Sequence, residues 1–292
     1  MSLTAMPEQT PIRRRVRFEW DNCDTDEWHH RLPEFGAAAN AISLLMPHGE
    51  PYVISMLRTG LAEGNGDGEL HERAQLLIEQ ESSHYKAHRD FNRSLTSTSR
   101  LAAKLDSFAK WIFARLANRS TAFGVAFTAA FEIVAFSSAR WAEGGLREYF
   151  SGADEQAATL FLWHLAEEIE HKGIAHDVMA AHPTARKKYP IAMAAAFTIL
   201  VGFTIIGGLS LFARKRHAFN PVRWARLIRW GISFAFVVMP VSFTSLARGF
   251  HPDQLVDPPW MAMWLREFDP ETNTMPYWTD AGSGAPGQAL AA

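Results

Sequence analysis

The sequence has a single cysteine, Cys23, and contains no glycine-rich phosphate loop, no GxSxG motif and no CxxC pair. One cysteine excludes an intrachain disulfide framework and favours a reducing compartment. The N-terminus lacks the basic-then-apolar pattern of a signal peptide, so we expect a cytoplasmic protein. The formal net charge of -2 does not favour nucleic acid as a partner. The basic run RRRVR, residues 13–17, is interpreted as part of a surface arm.

Long alternating runs of apolar and polar residues, typical of strands, are also missing, and apolar residues recur at helical spacing. We predict an all-α protein with about four helices of about 20 residues before residue 185. Residues 1–35 form an N-terminal arm, 36–185 a helix bundle, 186–250 a hydrophobic helical pair, and 251–292 a tail with a disordered end. Pro47 and Pro51 predict a break in the first helix near Glu50. The polar stretch RSLTSTSR predicts a linker, and Pro183 the end of the fourth helix.

The segment WHLAEEIEHK places histidines and glutamates in an apolar helix. At about 100° per residue, His164, Glu168 and His171 fall within an arc of about 60°. Glu170 and Lys172 point away from that arc and are expected to form a solvated or paired face. Because an isolated buried charge is very costly, the inward stripe requires partners on other helices.

Three other helices supply such partners. Glu81 and His84 form a second Glu-x-x-His pair, and His88 follows one turn later on the same face. Glu132 and Glu50 are each the lone charged residue in a long apolar stretch. Each half of the bundle therefore supplies one acid followed by one Glu-x-x-His pair.

This duplicated pattern is the ligand arrangement of ferritin-like di-iron and di-manganese bundles. Carboxylate and imidazole suit iron, with manganese or zinc as alternatives, and the absence of thiolate argues against a structural zinc site. The sequence therefore predicts two metal ions, held by Glu50, Glu81, His84, Glu132, His164, Glu168 and His171. We expect His88, Glu167 and Tyr85 to orient these ligands through hydrogen bonds without binding the metal themselves. A supporting role is the alternative for His164, and buried ion pairs or exposed faces are the alternative for the whole set.

The blocks LLMPHGE, EQESSH-x3-H and FLWHLAEEIEHK-x3-H-D resemble a bacterial family known as predicted metal-dependent hydrolases, over roughly residues 30–250. The spacing His-x3-Glu-x2-His at His164 also resembles that of the di-iron arylamine N-oxygenases, over the site motifs alone. This second resemblance implies O2 activation at a di-iron centre with the seven ligands named above. His176 stands where the first family usually has phenylalanine.

Two apolar runs follow the bundle. Residues 191–213 are 23 consecutive uncharged residues, and residues 231–247 are 17 more. The first run reaches the length of a membrane span, and arginine and tryptophan at its edges suit a membrane interface. Contact with an inner membrane, packing onto the bundle, and a homodimer interface are the three interpretations that the sequence leaves open.

The function that this sequence predicts first is a di-iron oxygenase or oxidase that uses O2 on a small organic, apolar substrate, with no catalytic residue separate from the metal ligands. The electron donor is not indicated. The first alternative is a hydrolase whose two metals activate water. The second is a non-catalytic, membrane-associated protein that binds metal.

Overall fold

The computed structural model describes residues 11–272 and 275–279, and its regular structure is helical, which confirms the predicted all-α class. Asp280 to the C-terminus, where disorder was predicted, lies outside the described residues. The helices are α1 Pro33–Glu63, α2 Gly68–Thr98, α3 Arg100–Ala117, α4 Thr121–Glu143, α5 Leu146–Phe150, α6 Glu155–Ala181, α7 Tyr189–Phe197, α8 Phe203–Phe212, α9 Pro221–Thr244 and α10 Pro259–Trp264. A short π-helical segment, Thr198–Gly202, joins α7 to α8 without a break.

Helix α1 runs through both prolines, so the predicted break near Glu50 is wrong. Proline lacks the N–H that would bond to the carbonyl four residues earlier, which for Pro47 is the carbonyl of Ser43. The Asn92 side-chain amide on α2 donates to that carbonyl at 2.8 Å. A contact from another helix thus satisfies the carbonyl that Pro47 leaves free, and the helix continues.

Other boundaries follow local capping. Helix α2 extends through most of the predicted linker, and Ser99 both ends it and caps α3 by accepting from the Ala102 N–H. Ser120 caps α4 in the same manner, so residues 101–141, which the sequence predicts as one helical block, form two helices. Helix α6 begins after its N-cap Asp154 and ends at Ala181, in agreement with the end predicted from Pro183.

Helices α1, α2, α4 and α6 pack against one another and form the core of the molecule. Each contributes one of the predicted acids or Glu-x-x-His pairs. The face of α4 toward this core consists almost wholly of apolar residues, with Glu132 1% exposed among them. The four helices therefore direct ionisable side chains into an interior that is otherwise apolar.

The described part of the N-terminal arm packs onto this core. Trp28 is 1% exposed, and its indole N–H donates to Asn40 of α1 at 3.0 Å. Arg14 is 3% exposed, so the prediction that the whole basic run lies at the surface is wrong for this residue. Its neighbours Arg13 and Arg15 are exposed as predicted.

The apolar C-terminal helices cover one side of the core. Helix α8 packs along α1, whereas α7 and α9 pack along α4. Three helical segments are long and apolar enough to cross a membrane, namely Thr121–Glu143, Ala185–Phe212 and Pro221–Thr244. The first is 78% buried within the protein, but the other two are only 44% and 33% buried. The C-terminal segments therefore keep a large apolar surface uncovered.

Candidate metal centre

The structure brings all seven predicted ligands into one buried cluster between α1, α2, α4 and α6. Each of the seven is at most 8% exposed. Their donor atoms fall into overlapping groups that could each hold a metal ion, with the atoms of a group within 4.8 Å of one another. One group comprises Glu81, Glu132, Glu168 and His171; the others comprise Glu50 with Glu81 and His84, and His84 with His164 and Glu168. Glu81, His84 and Glu168 belong to two groups each, so the three groups share donors and form one continuous cluster.

The shortest distances define the two ends of the cluster. At one end, His171 Nδ1 lies 3.0 Å from Glu81 Oε1 and 3.4 Å from Glu132 Oε2. At the other end, His164 Nε2 lies 2.8 Å from Glu168 Oε1 and 3.6 Å from Glu50 Oε1. Imidazole nitrogens thus alternate with carboxylate oxygens throughout the cluster.

Hydrogen bonds outside the cluster orient two of the imidazoles. The Nε2 atom of His84 lies 2.8 Å from Glu167 Oε2, and the Nε2 atom of His171 lies 3.0 Å from Gln80 Oε1. Both acceptors require a protonated Nε2, so the free Nδ1 atoms face the cluster. Such outer partners are what fix the tautomer of a metal-binding histidine. Glu167 therefore occupies the supporting position predicted for it.

Arg14 links these two outer partners, a role that no pattern in the sequence indicates. Its guanidinium donates to Glu167 Oε1 at 3.2 Å and forms two hydrogen bonds of 2.9 Å with the carboxylate of Glu170. The Gln80 amide donates to the same Glu170 at 2.8 Å. Glu170 is therefore paired in the interior rather than solvated, because the arm folds back over α6.

A directed chain of hydrogen bonds supports His164. The Ser43 hydroxyl donates to Asn92 Oδ1 at 2.8 Å, so Ser43 Oγ accepts from His88 Nδ1, also at 2.8 Å. His88 Nε2 is then an acceptor for His164 Nδ1 at 2.7 Å. The remaining lone pair, on His164 Nε2, faces Glu168 Oε1. A lone pair and a carboxylate oxygen at 2.8 Å repel each other unless a cation or a proton lies between them.

Several metal-ligand atoms of the cluster are buried and have no hydrogen-bond partner among the residues that the structure describes. These atoms are both oxygens of Glu50 and of Glu132, Glu81 Oε1, Glu168 Oε2, His84 Nδ1 and His171 Nδ1. Buried polar atoms are normally hydrogen-bonded, and each exception requires an explanation. All of these atoms converge on the same volume, which is the arrangement expected for ligands that bind metal ions. The residues present therefore fit a pair of metals.

The four carboxyl groups differ in their protonation. Burial, together with repulsion from the neighbouring carboxylates, raises the pKa of Glu50 and Glu132 well above the usual value. Burial also favours protonation of Glu81 and Glu168, but the adjacent histidines, His171 above all, outweigh it and lower the pKa of both. Glu50 and Glu132 therefore favour the protonated form more than an ordinary glutamate does, whereas Glu81 and Glu168 favour the charged form.

The four histidines also form two pairs, one with a raised pKa and one with a lowered pKa. Burial lowers the pKa of every one, but for His84 the hydrogen bond to Glu167 and the negative charge of Glu81 outweigh it and raise the pKa to about 9. The surrounding carboxylates likewise raise the pKa of His171 well above its usual value. For His88 and His164, burial and the neighbouring histidines prevail, so the pKa is lowered.

A cavity of about 370 Å³ reaches the histidine-rich end of the cluster. His88, His164 and Glu168 line its inner end. The remainder is formed by apolar residues of α1, α4, α6, α8 and α9, by Phe150 and Leu200, and by Ser138 and Thr204. A cavity of this size is within the range that small organic ligands occupy.

Some neighbouring residues lie away from the cluster. The ring of Tyr85 lies beneath Lys86 and Arg89, at 5.7 and 5.9 Å from the centroid, and its supporting role stays a prediction. Lys172 is buried and paired with Asp257. Lys172 therefore forms an ion pair, which is one of the two alternatives predicted for it, and this pair lies in the interior of the protein.

A separate group forms where the segment after α9 meets α6. His176, Asp177 and His251 could together hold a metal ion. His251 Nε2 lies 2.9 Å from Asp177 Oδ1, and the two histidine rings meet edge-on at 4.8 Å. His176, which departs from the family pattern, thus contacts the polar segment that follows α9.

The fold and the cluster define the class: an all-α protein with a buried carboxylate–histidine site suited to metal ions. A family model described as predicted metal-dependent hydrolase matches residues 12–255, and the chain belongs to this family. Searches of the curated proteins and of the solved structures found no significant match. The family assignment confirms the first resemblance seen in the sequence and supports a metal-dependent enzyme.

Proposed function

We propose that the cluster binds two divalent metal ions through Glu50, Glu81, His84, Glu132, His164, Glu168 and His171. The observation that carries this proposal is the set of buried donor atoms that lack hydrogen-bond partners and converge on one volume. Four carboxylates and neutral imidazoles carry a charge of -4, which two divalent ions balance. Without metal, protons on two acids and two histidines provide the same balance.

We propose further that the centre has the ferritin-like di-metal arrangement, that the metals are iron, and that the protein oxidises an apolar organic substrate with O2. Carboxylate-rich ligands without thiolate suit iron, and bound iron supplies the O2-binding site and the redox chemistry. The cavity supports an apolar substrate, because the ionisable residues that line it within the described part of the chain are those at the cluster. The electron donor is a separate protein or small molecule.

The protein's own residues position and insulate the reaction. Arg14, Glu167 and Gln80 hold His84 and His171 in one tautomer. The chain through Ser43 and His88 holds the proton at His164 Nδ1 and leaves Nε2 free. The apolar cavity wall keeps bulk water from the inner end, which strengthens electrostatic interactions there.

Hydrolysis is the second candidate, and the family description favours it. The same seven residues would hold two metals that activate water and polarise a carbonyl. The apolar cavity then requires an ester or amide of an apolar acid as substrate.

Metal analysis tests the proposal. We expect about two iron ions per chain in protein purified without chelator, and an optical change when the ferrous protein meets O2. Glu132→Gln and Glu168→Gln should each lower iron content, whereas Glu72→Gln, on the exposed face of α2, should not. Zinc in the purified protein, with ester turnover under anaerobic conditions, would favour hydrolysis. Less than one metal ion per chain after loading would overturn the metal centre itself.

A further inference from the structure

The outward face of α9 carries apolar side chains that no other part of the described protein covers. We define the outer stripe as Ile228, Ile232, Phe236, Met239 and Phe243, which follow helical spacing and are 39–72% exposed. The opposite face of α9 is also apolar and is buried on α4. A helix that is apolar on both faces requires an apolar partner on each.

The apolar surface continues beyond the outer stripe. Ile191 and Ile206, on α7 and α8, are 63% and 66% exposed. On the adjoining α3, Phe108 and Trp111 are 51% and 53% exposed, and Phe108 stacks on Phe203 of α8. A contiguous exposed apolar surface of this kind marks a site of interaction with protein or membrane.

The charge of this region identifies the partner. Residues 185–250 contain ten lysines and arginines and no aspartate or glutamate, although the whole chain has a net charge of -2. Lys187, Lys188 and Arg248 lie at one end of the helical pair, and Arg214 lies at the other; all four are exposed. Apolar residues flanked by exposed cations suit the surface of a membrane with anionic lipids.

The packing decides how the helices meet that membrane. The inner faces of α7, α8 and α9 are fixed to α1 and α4, so these helices cannot leave the core to form an isolated hairpin. Helix α2, on the other side of the core, has many exposed charged residues. The geometry therefore favours helices that lie in the plane of the membrane with only their outer face immersed.

The cavity opens on this same face. Ile228 and Ile232 of the outer stripe both line the cavity and are 51% and 53% exposed, so its mouth lies between them. Gly231 also lines the cavity and places no side chain in it. The inner end of the same cavity is formed by His164 and Glu168.

We propose that the outer face of α7–α9 rests on an anionic membrane surface and that a single-chain lipid passes from the bilayer through this cavity to the metal cluster. The lipid as substrate rests on the proposed function above, whereas membrane contact and chain binding do not. The apolar cavity wall contacts the hydrocarbon chain of the lipid, and the carbon atom of the lipid that reacts lies beside His164.

Vesicle sedimentation tests the membrane contact with the full, metal-loaded chain. We expect the protein to bind vesicles of phosphatidylcholine and phosphatidylglycerol more tightly than vesicles of phosphatidylcholine alone. Phe236→Asp combined with Phe243→Asp should lower the partition coefficient by about tenfold or more, because two exposed phenylalanines lose contact with lipid. The matched control is Val256→Asp, which changes a residue 66% exposed outside α7–α9 and should leave binding unchanged.

A blocked mouth tests the passage. A Cβ at Gly231 would lie 3.7 Å from the nearest side-chain atom, an ordinary van der Waals contact, so the backbone position accepts a side chain, and the larger Gly231→Leu substitution is chosen to fill the mouth. We expect this variant to weaken binding of cis-parinaric acid, a fluorescent long-chain fatty acid, about tenfold without vesicles present. In the control, Gly202→Leu, the new side chain enters open space, and fatty-acid binding should be unchanged.

The results separate this inference from the proposed function. Unchanged vesicle binding by the double aspartate variant, or a change in its oligomeric state alone, would overturn the membrane contact. Unchanged fatty-acid binding by Gly231→Leu would overturn the passage. If the metal proposal alone is wrong, the protein lacks iron but both binding assays still give the expected differences.

Discussion

Replacement of Arg14 by methionine is expected to destabilise the protein strongly, although this residue belongs to a short basic run near the N-terminus. The guanidinium is 3% exposed and forms three hydrogen bonds with the carboxylates of Glu167 and Glu170. Methionine fills much of the same volume but leaves two buried carboxylates without their cation. The removal of one partner from a buried ion pair costs about 3–5 kcal/mol.

Urea unfolding followed by circular dichroism measures this cost. A loss of about 3–5 kcal/mol with a slope near 3 kcal/mol per molar urea lowers the midpoint by about 1–2 M. Arg15→Met is the matched control, because Arg15 is the exposed neighbour of the same type, and its midpoint should change by less than about 0.5 M.

Metal affinity gives a second measurement on the same variant. Glu167 and Glu170 orient His84 and, through Gln80, His171. A loss of such outer support weakens metal binding by about 10–100-fold, which chelator competition with ferrous iron detects. Equal midpoints and equal metal affinities for Arg14→Met and Arg15→Met would refute the role assigned to the arm.

Three further predictions concern protons and buried amides. Loading the metal-free protein with divalent ions should release protons from Glu50, Glu132, His84 and His171, so metal affinity should fall as the pH is lowered. Calorimetry in buffers of different ionisation enthalpy counts the released protons. A result of no proton release would contradict the assigned ligands. Burial and the adjacent His251 lower the pKa of His176 to about 4, so its contribution to stability is complete above about pH 6.5 and is lost as the pH falls toward 4. His176→Phe should remove about 1–2 kcal/mol of that acid sensitivity, and equal pH profiles of unfolding for both proteins would contradict this. Asn92→Ala should cost about 1–3 kcal/mol, because Ser43 loses partners for both its carbonyl and its hydroxyl, whereas the exposed Asn118→Ala should cost less than about 0.5 kcal/mol in the same denaturation assay.

The parts of the structure that the sequence predicts are those that depend on local chemistry. Helical spacing places His164, Glu168 and His171 on one face of α6, and the Asp154 cap and Pro183 give the ends of that helix. The acids Glu50 and Glu132 are conspicuous because long apolar stretches surround them. These signals lie within one helix each, so a single sequence is sufficient to detect them.

The parts that the sequence does not predict depend on contacts between distant segments. Pro47 alone predicts a break in the helix, but the side chain of Asn92 on another helix donates a hydrogen bond to the carbonyl that Pro47 leaves free. Arg14 belongs to a basic run that predicts solvent exposure. Its burial depends on the ion pair with Glu170, 2.9 Å away, which joins two segments distant in the sequence. The cavity arises because α8 and α9 rest on different helices, which neither apolar run encodes alone.

The proline within α1 has a consequence for the chemistry of another helix. Because Pro47 cannot donate to the Ser43 carbonyl, the Asn92 amide must present its nitrogen there and its oxygen to the Ser43 hydroxyl. That orientation fixes the direction of every later hydrogen bond as far as His164. Pro47 and Asn92 together thus determine which nitrogen of His164 carries the proton. We therefore expect residues 47 and 92 to change together among related sequences.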